Sequence, residues 1–451
     1  MNIDQVKYVY FLGIGGIGMS ALARYFRHMG CEVAGYDRTE TALTRALVQE
    51  GIPVIYTDDF DLVKTEFRVA DSETLIVFTP ALPGDLSLLS RFREQGHILH
   101  KRAEVLGLIS QGQYTIAVAG THGKTTTSSL IAHILTDTGY GCSAFLGGIT
   151  TNYGTNTLFG DNKVLVVEAD EYDRSFLTLH PDIAILTSAD ADHLDIYGDQ
   201  SQLHDSFRLF LAQVSPQGKR IIHEGLPFDY DISYSGDQVG QVHASHIKIV
   251  DGSYYFDYVS DQYAIEAIRL GIPGKHNVSN AVAAITVALE LGIDPHAIKA
   301  ALASFAGVKR RFEYIVNNKQ HVYIDDYAHH PAELKAFLGS VRELYPHKKL
   351  TLVFQPHLYS RTRDFMAQFA EELGQVDTLL LMDIYPAREL PIPGVDSAVL
   401  LDQISGPEKH LLSAEAIKEY VKANKPEVLL TAGAGNIDQL VQVLKEVLRD
   451  G

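Results

Sequence analysis

The sequence predicts an α/β protein with three domains and mostly parallel sheets. Its 451 residues exceed what one hydrophobic core normally supports, which favours about three domains. Strand-like runs alternate with helical patterns, and this alternation is typical of parallel sheets covered on both faces. Two of these runs lead into glycine-containing turns, and a third follows a basic loop. We therefore place the domains at 1–113, 114–311 and 312–451.

The first domain opens as a βαβ unit. A β-rich run at 7–12 leads into GIGGIG, and a helical pattern follows over 19–28. A strand predicted at 32–36 ends at Asp37, and a further strand is predicted at 74–78.

The second and third domains each begin with a new strand. YTIAVA at 114–119 runs through GTHGKTTT into a predicted helix, and strands are expected before two carboxylate-rich loops. The stretch 215–268, rich in Tyr, Asp and Gly, is predicted to form antiparallel strands. The remaining predicted elements are a helix at 126–136, strands at 164–167 and 183–187, a helix at 277–291, and strands at 322–324, 350–354, 378–382 and 428–431.

Composition narrows the class of protein. The formal net charge of −18 disfavours a duplex-binding protein, because neutralising nucleic-acid phosphates needs a basic face. The two cysteines, Cys31 and Cys142, lie far apart, which excludes a disulfide framework and fits a reducing cytoplasm. The N-terminus lacks the pattern of a signal peptide, and no apolar run predicts insertion into a membrane.

The strongest chemical signal is a phosphate loop between a buried-type strand and a helix. Glycines there let backbone N–H groups approach phosphates, while Lys124 would neutralise the outer phosphates and Thr125 would hold Mg²⁺. The generic pattern needs a glycine where Val118 stands, so only its shorter form is present. A chance turn with a helix cap is the alternative. The loop consists of Gly120, Thr121, His122, Gly123, Lys124, Thr125 and Thr126.

Two acidic loops predict metal ligands. EADE at 168–171 and DADH at 190–193 each follow a predicted strand, where ligands bind in open α/β sheets. Their hard oxygen atoms suit Mg²⁺. A solvated loop carboxylate is the alternative for any one acid, but two such loops beside a phosphate loop favour metal binding.

The N-terminal glycine loop is less specific. It satisfies a dinucleotide fingerprint, and Asp37 stands about 20 residues further on, where a ribose-binding acid belongs. Alone, this pattern indicates an NAD-dependent oxidoreductase. The loop requires only a diphosphate, however, and a UDP group meets that requirement equally well. The NAD hypothesis leaves the other loops unexplained; a nucleotide-binding regulatory protein without turnover is a further alternative.

Together, these motifs resemble those of the Mur ligases, most closely the type that adds L-alanine to UDP-N-acetylmuramate. The eight similar segments cover nearly the whole chain in order. They are FLGIGGIGMSALA (11–23), GTHGKTTT (120–127), EADEYDRSF (168–176), DADHLDIY (190–197), GKHNVSNA (274–281), DDYAHHP (325–331), FQPHLYSRTRDF (354–365) and GAGNI (433–437). The resemblance implies an N-terminal Rossmann-like domain for the UDP-sugar, a central P-loop ATPase-like domain, and a C-terminal Rossmann-like domain for the amino acid that closes on the nucleotide.

The resemblance also implies roles for individual residues. Lys124 and Thr125 would hold the ATP phosphates and magnesium, Glu168 would ligate that magnesium, and His193 would ligate a second one. Lys124, Glu168, His193 and Arg361 would be catalytic. A lone histidine such as His193 is more often a core or surface residue.

Three further sets of residues follow from the resemblance. The UDP-sugar set is Gly13, Gly15, Gly16, Gly18, Met19, Ser20 and Asp37. The additional nucleotide set is His276, Asn277, Asn280, Arg311, Asp325 and Asp326, with a helix N-cap as the alternative for Asn277. The amino-acid set is His330, His357, Tyr359, Arg361 and Arg363, of which one or two are alternatively surface ion-pair partners.

Two positions depart from the family pattern. Leu358 stands where many relatives place arginine, which removes a possible cation from the amino-acid site, and Ala328 stands where many have glycine. No lysine occurs in 190–199, so the carbamylated lysine of other Mur ligases is not expected.

The predicted reaction forms an amide at the expense of ATP. The γ-phosphate would move to the muramoyl carboxylate, and the amine of L-alanine would attack the resulting acyl phosphate. The alternative within the family is the ligase that joins a recycled murein tripeptide to the same UDP-sugar. We expect a bacterial, cytoplasmic enzyme of peptidoglycan synthesis that is a monomer or weak homodimer and uses ATP and two Mg²⁺ sites.

Overall fold

The computed structural model describes residues 3–79, 82–83, 85–190, 197, 199–237, 240–250, 252–387 and 389–449. Within them the strands form three sheets of five, ten and six strands. Parallel pairing predominates in all three, and helices separate most of the strands. The predicted α/β class with mostly parallel sheets is therefore confirmed. No helix of the described part of the chain combines the length and apolarity that a membrane span requires.

The first sheet has the order β3-β2-β1-β4-β5. Its centre, β1, pairs in parallel with β2 and β4, so the carboxyl ends of three strands lie side by side. The strands are β1 Tyr8–Leu12, β2 Glu32–Tyr36, β3 Val54–Ile55, β4 Thr74–Phe78 and β5 Leu99–Lys101. The helices are α1 Ile17–His28, α2 Ala42–Gln49, α3 Ser87–Glu94 and α4 Arg102–Ser110.

The second sheet has the order β15-β14-β13-β12-β11-β10-β6-β9-β7-β8. Its strands are β6 Tyr114–Ala119, β7 Ser143–Phe145, β8 Thr157–Leu158, β9 Val164–Glu168, β10 Ile183–Leu186, β11 Lys219–His223, β12 Ile232–Ser235, β13 Val242–Val250, β14 Ser253–Val259 and β15 Ala264–Leu270. The helices along this part of the chain are α5 Lys124–Asp137, α6 Gln200–Leu211, α7 Lys275–Glu290 and α8 Pro295–Ser304. A 3-10 helix covers Tyr172–Thr178.

The prediction of antiparallel strands throughout 215–268 is wrong in its first half. β11 pairs with β10 in parallel, β12 pairs with β11 in parallel, and the start of β13 pairs with β12 in parallel. Ile221 and Ile222 in β11 are fully buried, as expected for a parallel strand covered on both faces. Strand direction depends on tertiary partners, which a short local pattern does not encode.

The third sheet has the order β16-β17-β21-β18-β19-β20, and only its edge strand β16 runs antiparallel to its neighbour. Its strands are β16 Glu313–Asn317, β17 Val322–Asp326, β18 Leu350–Phe354, β19 Thr378–Leu381, β20 Glu408–Leu411 and β21 Val428–Ala432. The helices are α9 Pro331–Leu344, α10 Tyr359–Asp364, α11 Met366–Leu373, α12 Ser397–Gln403, α13 Ala414–Asn424 and α14 Asp438–Arg449.

The described residues divide into two compact units. The first comprises 1–243, 258–265 and 280–302, and the second comprises 244–257, 266–279 and 303–451. In the second unit, alternate residues of each strand enter different hydrophobic clusters; Ile324 belongs to one and Tyr323 to the other. This alternation shows that both faces of the third sheet are covered.

In the first unit, one hydrophobic cluster joins the five-stranded and ten-stranded sheets. It extends from Phe11 through Tyr25 to Val167 and Phe207. The ring of Tyr25 lies 5.5 Å from that of Phe145 across this junction. Because the cluster is continuous, the first two predicted domains share a packed interface.

A close backbone approach at this junction involves Gly107 in α4. A Cβ atom at Gly107 would overlap the carbonyl oxygen of Thr178, and the Thr178 hydroxyl donates to the Ala103 carbonyl at 2.8 Å. Only glycine leaves room for this contact. Gly339 in α9 provides the contrast, because a Cβ atom there would meet nothing within 4 Å.

We predict opposite effects of alanine at these two helical glycines. Gly107→Ala should lower stability by about 1–3 kcal/mol, because the added methyl group displaces a packed backbone. Gly339→Ala should raise stability by about 0.5–1 kcal/mol, because alanine loses less backbone entropy in a helix. Calorimetric unfolding of both variants checks this. An unchanged unfolding temperature for Gly107→Ala would contradict the prediction, because it would mean that the backbone at the junction moves to accommodate the added methyl group.

Candidate active site

The phosphate loop joins β6 to α5 and needs glycine at two positions. Gly120 has φ +130° and Gly123 has φ +82°, in the region that favours glycine. A Cβ atom on Gly120 would overlap Thr187 and lie 2.8 Å from the backbone nitrogen of Ser188. Helix α5 begins directly after Gly123, so the N–H groups of its first turn are available to an anion.

Lys124 is held against this loop by a buried carboxylate. Its Nζ lies 3.0 Å and 2.8 Å from the two carboxylate oxygens of Glu171 and donates to the carbonyl of Gly120 at 2.6 Å. Burial alone would lower the pKa of Lys124, but attraction to Glu171, Asp170 and Glu168 outweighs burial and raises it. The loop therefore contains a cation that can offset the charge of bound phosphate groups.

The segment after β10 forms hydrogen bonds with the phosphate loop. The hydroxyl groups of Thr121 and Ser188 lie 2.9 Å apart, and the N–H of His122 donates to Ser188 Oγ at 2.7 Å. The N–H of Asp190 donates to the Thr121 hydroxyl at 3.1 Å. The first residue of the second acidic loop therefore contacts the phosphate loop, whereas His193, the predicted ligand of a second metal, lies outside the described residues.

A cleft of about 360 Å³ in the first unit joins two of the predicted motifs. One wall is the start of α1 with its glycine loop, and another is the acidic loop after β9. Apolar side chains such as Met19 and Phe145 complete the lining. Its charged, polar and glycine lining residues are Gly16, Gly18, Thr79, Arg102, Gly147, Glu168 and Asp170.

The predicted UDP-sugar residues occupy different positions around this cleft. Gly16, Gly18 and Met19 line it. Asp37 does not; it accepts the N–H of Gly15 at 2.7 Å and thereby stabilises the loop. Ser20 is buried and donates to the carbonyl of its own helix residue Ile17 at 3.0 Å.

Gly13 completes the glycine loop. It has φ +85°, and its N–H donates to the Tyr36 carbonyl at 2.8 Å. This bond joins the end of β1 to the end of β2. The glycine is therefore required by the turn rather than by the cleft.

The predicted magnesium ligands fit the ion chemically, although the described residues hold no group of three His, Cys, Asp or Glu side chains placed as ligands. Glu168 and Asp170 line the cleft, and Glu168 accepts the N–H of Gly147 at 2.9 Å. Thr125 is buried in the first turn of α5. Hard carboxylate and hydroxyl oxygens are the donors that Mg²⁺ prefers, with water and substrate phosphates completing its shell.

In the second unit, Asp325 is the centre of a buried charged group. Arg310 Nε donates to one of its carboxylate oxygens at 3.0 Å, and the Thr431 hydroxyl donates to the other at 2.5 Å. Burial raises the pKa of Asp325 despite the attraction of Arg310. Arg310 also donates to the Gly433 carbonyl at 2.7 Å. The guanidinium therefore connects the DDYAHHP and GAGNI segments.

Asp326, Arg311 and His276 are charged or titratable neighbours in the same unit. Burial raises the pKa of Asp326 to about 6, although Arg311 and two backbone N–H groups oppose this rise. Burial, together with Arg311, lowers the pKa of His276 to about 4, so its imidazole is neutral at pH 7. Arg311 lies 3.8 Å from Glu333 and 5.0 Å from the ring centroid of Tyr327.

The two asparagines of α7 have distinct environments. Asn277 is buried and donates its side-chain amide to the Pro273 carbonyl at 2.6 Å. Its position inside α7 excludes the alternative of a helix N-cap, because the helix begins at Lys275. Asn280 accepts from the Thr127 hydroxyl at 3.1 Å. It therefore contacts the helix that follows the phosphate loop.

The predicted amino-acid residues form a second group in the second unit. Nη1 of Arg361 lies 3.4 Å from His357 Nδ1, and the rings of His357 and Tyr385 are stacked with centroids 5.7 Å apart. His329 lies 5.8 Å away, edge to face. Burial, with His329 and Arg361 close by, lowers the pKa of His357 to about 4.

The remaining predicted amino-acid residues divide into buried and exposed ones. His330 is buried, and its Nδ1 accepts the Ala332 N–H at 3.3 Å as the N-cap of α9. Arg363 is exposed and pairs with its neighbour Asp364 at 2.7 Å. Tyr359 is half-buried at the start of α10.

The two residues that depart from the family pattern differ in backbone conformation. Leu358 has φ +71°, whereas Ala328 has no positive φ. Ala328 is also buried, so alanine fits there without strain. The left-handed angle at Leu358 is uncommon for a residue with a branched side chain.

Sequence reasoning missed several residues that complete these sites. In the sequence, Glu171 is one member of an acidic run, and nothing distinguishes Arg310 from its neighbour Arg311. Ser188 and Arg102 belong to no motif, and only tertiary contact reveals them. Gln355 lies inside a quoted motif; its amide donates to Asn436 at 2.8 Å and accepts the Ile437 N–H at 3.0 Å.

We predict that His357 makes the protein less stable as the pH falls. Its folded pKa of about 4 lies below the unfolded value of about 6.5. Between these values the unfolded chain binds a proton that the folded chain does not, so stability decreases from pH 6.5 towards 4. The variant His357→Gln should show a shallower loss of melting temperature between pH 7 and 5. Parallel slopes for the two proteins would contradict this.

Comparisons with known proteins agree with the motifs. Three family models match: Mur ligase family, catalytic domain, at 8–114; Mur ligase middle domain at 118–288; and Mur ligase, glutamate ligase domain, at 310–435. A UDP-N-acetylmuramate–L-alanine ligase from Christiangramia forsetii is 47% identical over 99% of both chains. Another from Flavobacterium johnsoniae is 46% identical over 100% of both.

A solved structure supports the same relationship. The UDP-N-acetylmuramate–alanine ligase from Thermotoga maritima has a TM-score of 0.83 at 26% identity, covering 98% of this chain and 99% of that one. A murein peptide ligase from Psychrobacter arcticus shares the fold, with a TM-score of 0.68 at 22% identity over 98% of both chains. On the strength of its motifs, its three matched domains and its full-length relatives, this chain belongs to the Mur ligase family.

Proposed function

We propose that this chain joins L-alanine to the carboxylate of UDP-N-acetylmuramate at the expense of ATP, a step of peptidoglycan precursor synthesis. The observation that carries this proposal is the shared cleft of the first unit. The glycine loop at the start of α1 and the acidic residues Glu168 and Asp170 line it together. A nucleotide sugar bound at the glycine loop therefore extends towards the acidic loop that also contains the partner of Lys124.

The cleft suits a long anionic substrate. The N-terminus of α1 and the guanidinium of Arg102 favour a diphosphate. Apolar lining residues such as Leu106 and Phe145 cover the sugar. Of the predicted set, we assign Gly16, Gly18 and Met19 to contact with the UDP-sugar, and Gly13, Gly15, Ser20 and Asp37 to the shape of the loop.

The phosphate loop is assigned to ATP. Its backbone N–H groups and Lys124 bind the phosphates, and Thr125 and Glu168 would hold Mg²⁺. The ion would supply positive charge where two anions must approach each other. A second ion ligated by His193 is part of the same proposal. His276, Asn277, Asn280, Arg311, Asp325 and Asp326 retain the nucleotide role predicted from sequence.

The reaction follows from this arrangement of charges. The muramoyl carboxylate attacks the γ-phosphorus of ATP, the bond to the β-γ bridging oxygen breaks, and ADP leaves. The amine of L-alanine then attacks the acyl phosphate carbonyl, and phosphate departs as the amide forms. Lys124 stabilises the charge on the transferred phosphoryl group. Binding both substrates in fixed orientation supplies the entropic part of the acceleration.

The amino-acid site is suited to a small zwitterion. The Arg361 guanidinium offers a carboxylate two parallel hydrogen bonds. The neighbouring His357 is neutral at pH 7, so its imidazole does not repel the ammonium group of the amino acid. We assign this role to Arg361, which is buried beside His357, rather than to Arg363, which is exposed.

We also propose that the three predicted domains divide the substrates among them. The boundary at 113 is supported by the matches at 8–114 and 118–288, and the boundary at 311 by the match that begins at 310. The first would bind the UDP-sugar, the second ATP, and the third the amino acid.

The decisive experiment measures ADP release with ATP, Mg²⁺ and UDP-N-acetylmuramate. One reaction contains L-alanine and another contains L-Ala-γ-D-Glu-diaminopimelate. Turnover that requires L-alanine is expected, because the full-length relatives are L-alanine ligases. Turnover with the tripeptide alone would identify the recycling ligase instead. Absence of turnover in both reactions would contradict either ligase activity.

Lys124→Ala should reduce turnover at least about a hundredfold, because removing one preorganised donor at a transferred phosphoryl group has this effect or more. The control Lys163→Ala changes an exposed lysine of the same unit and should remain within about twofold of the parent enzyme. Steady-state ADP release measures both. Near-normal activity of Lys124→Ala would exclude the phosphate loop as the ATP site.

Arg361→Ala and Arg363→Ala form a matched pair two residues apart on α10. Arg361→Ala should lower kcat/KM for L-alanine by about a hundredfold, because it removes a charged bidentate contact. Arg363→Ala should change kcat/KM by less than about threefold, because an exposed ion pair contributes little. The opposite ranking of the two variants would assign the carboxylate to Arg363.

A further inference from the structure

Glu171 is buried in a way that structural stability alone does not explain. Its side chain is fully buried. A buried ion pair is seldom more stable than apolar side chains of the same volume, because both ions lose their hydration. The carboxylate is therefore a candidate for a role in the reaction.

The backbone of Glu171 is fixed from two directions. Its carbonyl accepts the Tyr197 hydroxyl at 2.5 Å and the N–H of Arg174 at 2.9 Å. Tyr197 is itself buried, and Glu171 directly precedes the 3-10 helix at Tyr172–Thr178. The backbone that carries the Glu171 carboxylate is therefore held in place.

The side chain of Lys124 is flexible by itself, and Glu171 restricts it. Both carboxylate oxygens contact Nζ, at 3.0 Å and 2.8 Å, and the Gly120 carbonyl accepts from Nζ at 2.6 Å. Contacts with two different loops hold the ammonium group at one place. Of the three carboxylates in the first acidic loop, Glu168 and Asp170 line the cleft, whereas Glu171 contacts the lysine.

We propose that Glu171 is a positioning residue for Lys124. It holds the ammonium group across the mouth of the phosphate loop, so the lysine does not have to be ordered as the phosphoryl group is transferred. This inference rests on the proposed function of the loop as the ATP site. Preorganisation of this kind stabilises the transition state more than the bound substrate.

The kinetic consequence is a separation of kcat from KM. In Glu171→Gln the lysine loses its anionic partner, so its ammonium group samples other rotamers. We expect kcat to fall roughly ten- to a hundredfold. The KM for ATP should stay the same or decrease, because Glu171 no longer competes with phosphate for the ammonium group. Glu171→Asp, which keeps the charge on a shorter side chain, should recover part of the lost kcat.

The matched control is Glu372→Gln. Glu372 is also a buried carboxylate, 3.9 Å from a lysine, but it lies on α11 and is not among the residues assigned to the proposed sites. This variant should leave kcat and KM within about twofold of the parent enzyme. Melting temperatures of all variants are measured together, so that kinetics are compared between folded proteins.

The experiment measures initial rates of ADP release over a range of ATP concentrations. It also measures binding of a fluorescent ATP analogue without the other substrates. A lower kcat with undiminished ATP binding, and partial recovery in Glu171→Asp, would support the positioning role. A kcat within twofold of the parent, or a loss of kcat matched by an equal loss of ATP binding, would overturn it.

Failure of the proposed function would look different. The parent enzyme would then show no turnover with either amino donor, whereas the nucleotide-binding measurement would still compare Glu171→Gln with its parent. If Glu171→Gln does not fold, Glu171→Asp decides alone. It should show reduced kcat at unchanged affinity for the ATP analogue, and a kcat equal to that of the parent would reject the proposal.

Discussion

The parallel register of three central strands is the constraint on which the first unit depends. β6 pairs with β9 on one side, with Val118 opposite Glu168, and with β10 on the other, with Ala119 opposite Leu186. Because all three run in the same direction, the loops that follow them meet at one edge of the sheet. The phosphate loop, the acidic loop and the Ser188 segment are therefore neighbours although they are far apart in sequence. A change of register by one residue would separate Lys124 from Glu171.

Charge compensation is the second theme of the structure. In both units a partly buried cation is matched by a buried carboxylate: Lys124 by Glu171, and Arg310 by Asp325. The chain as a whole carries a net charge of −18, so these local cations do not reflect the overall field. A few lysines, arginines and backbone N–H groups make a site locally positive despite the negative field of the whole chain, and such a site can bind an anionic substrate. In the second unit, the neutral imidazoles of His276 and His357 add no positive charge at pH 7.

The two ends of the cleft in the first unit differ in charge. Its glycine-loop end offers backbone N–H groups and Arg102, and its other end offers Glu168 and Asp170. An anionic diphosphate is favoured at the first end, and a cation with its phosphate partners at the second. The cleft depends on close packing between the two sheets of the unit, where Gly107 leaves no room for a side chain. Stability of this junction and geometry of the cleft are therefore linked.

The sequence by itself determined the class of the fold, most strand positions and the motifs. Strands such as Leu350–Phe354 follow directly from short runs of apolar and β-branched residues. The segment GTHGKTT specifies a phosphate loop because few other structures need those glycines before a lysine. Tertiary structure decided what no local pattern encodes. It set the parallel direction of β11 and β12, the pairing of Lys124 with Glu171, and the choice of Arg310 as the partner of Asp325. These depend on which strand ends become neighbours, and that is a property of the assembled sheet, since contacts between distant residues leave no periodic trace in the sequence.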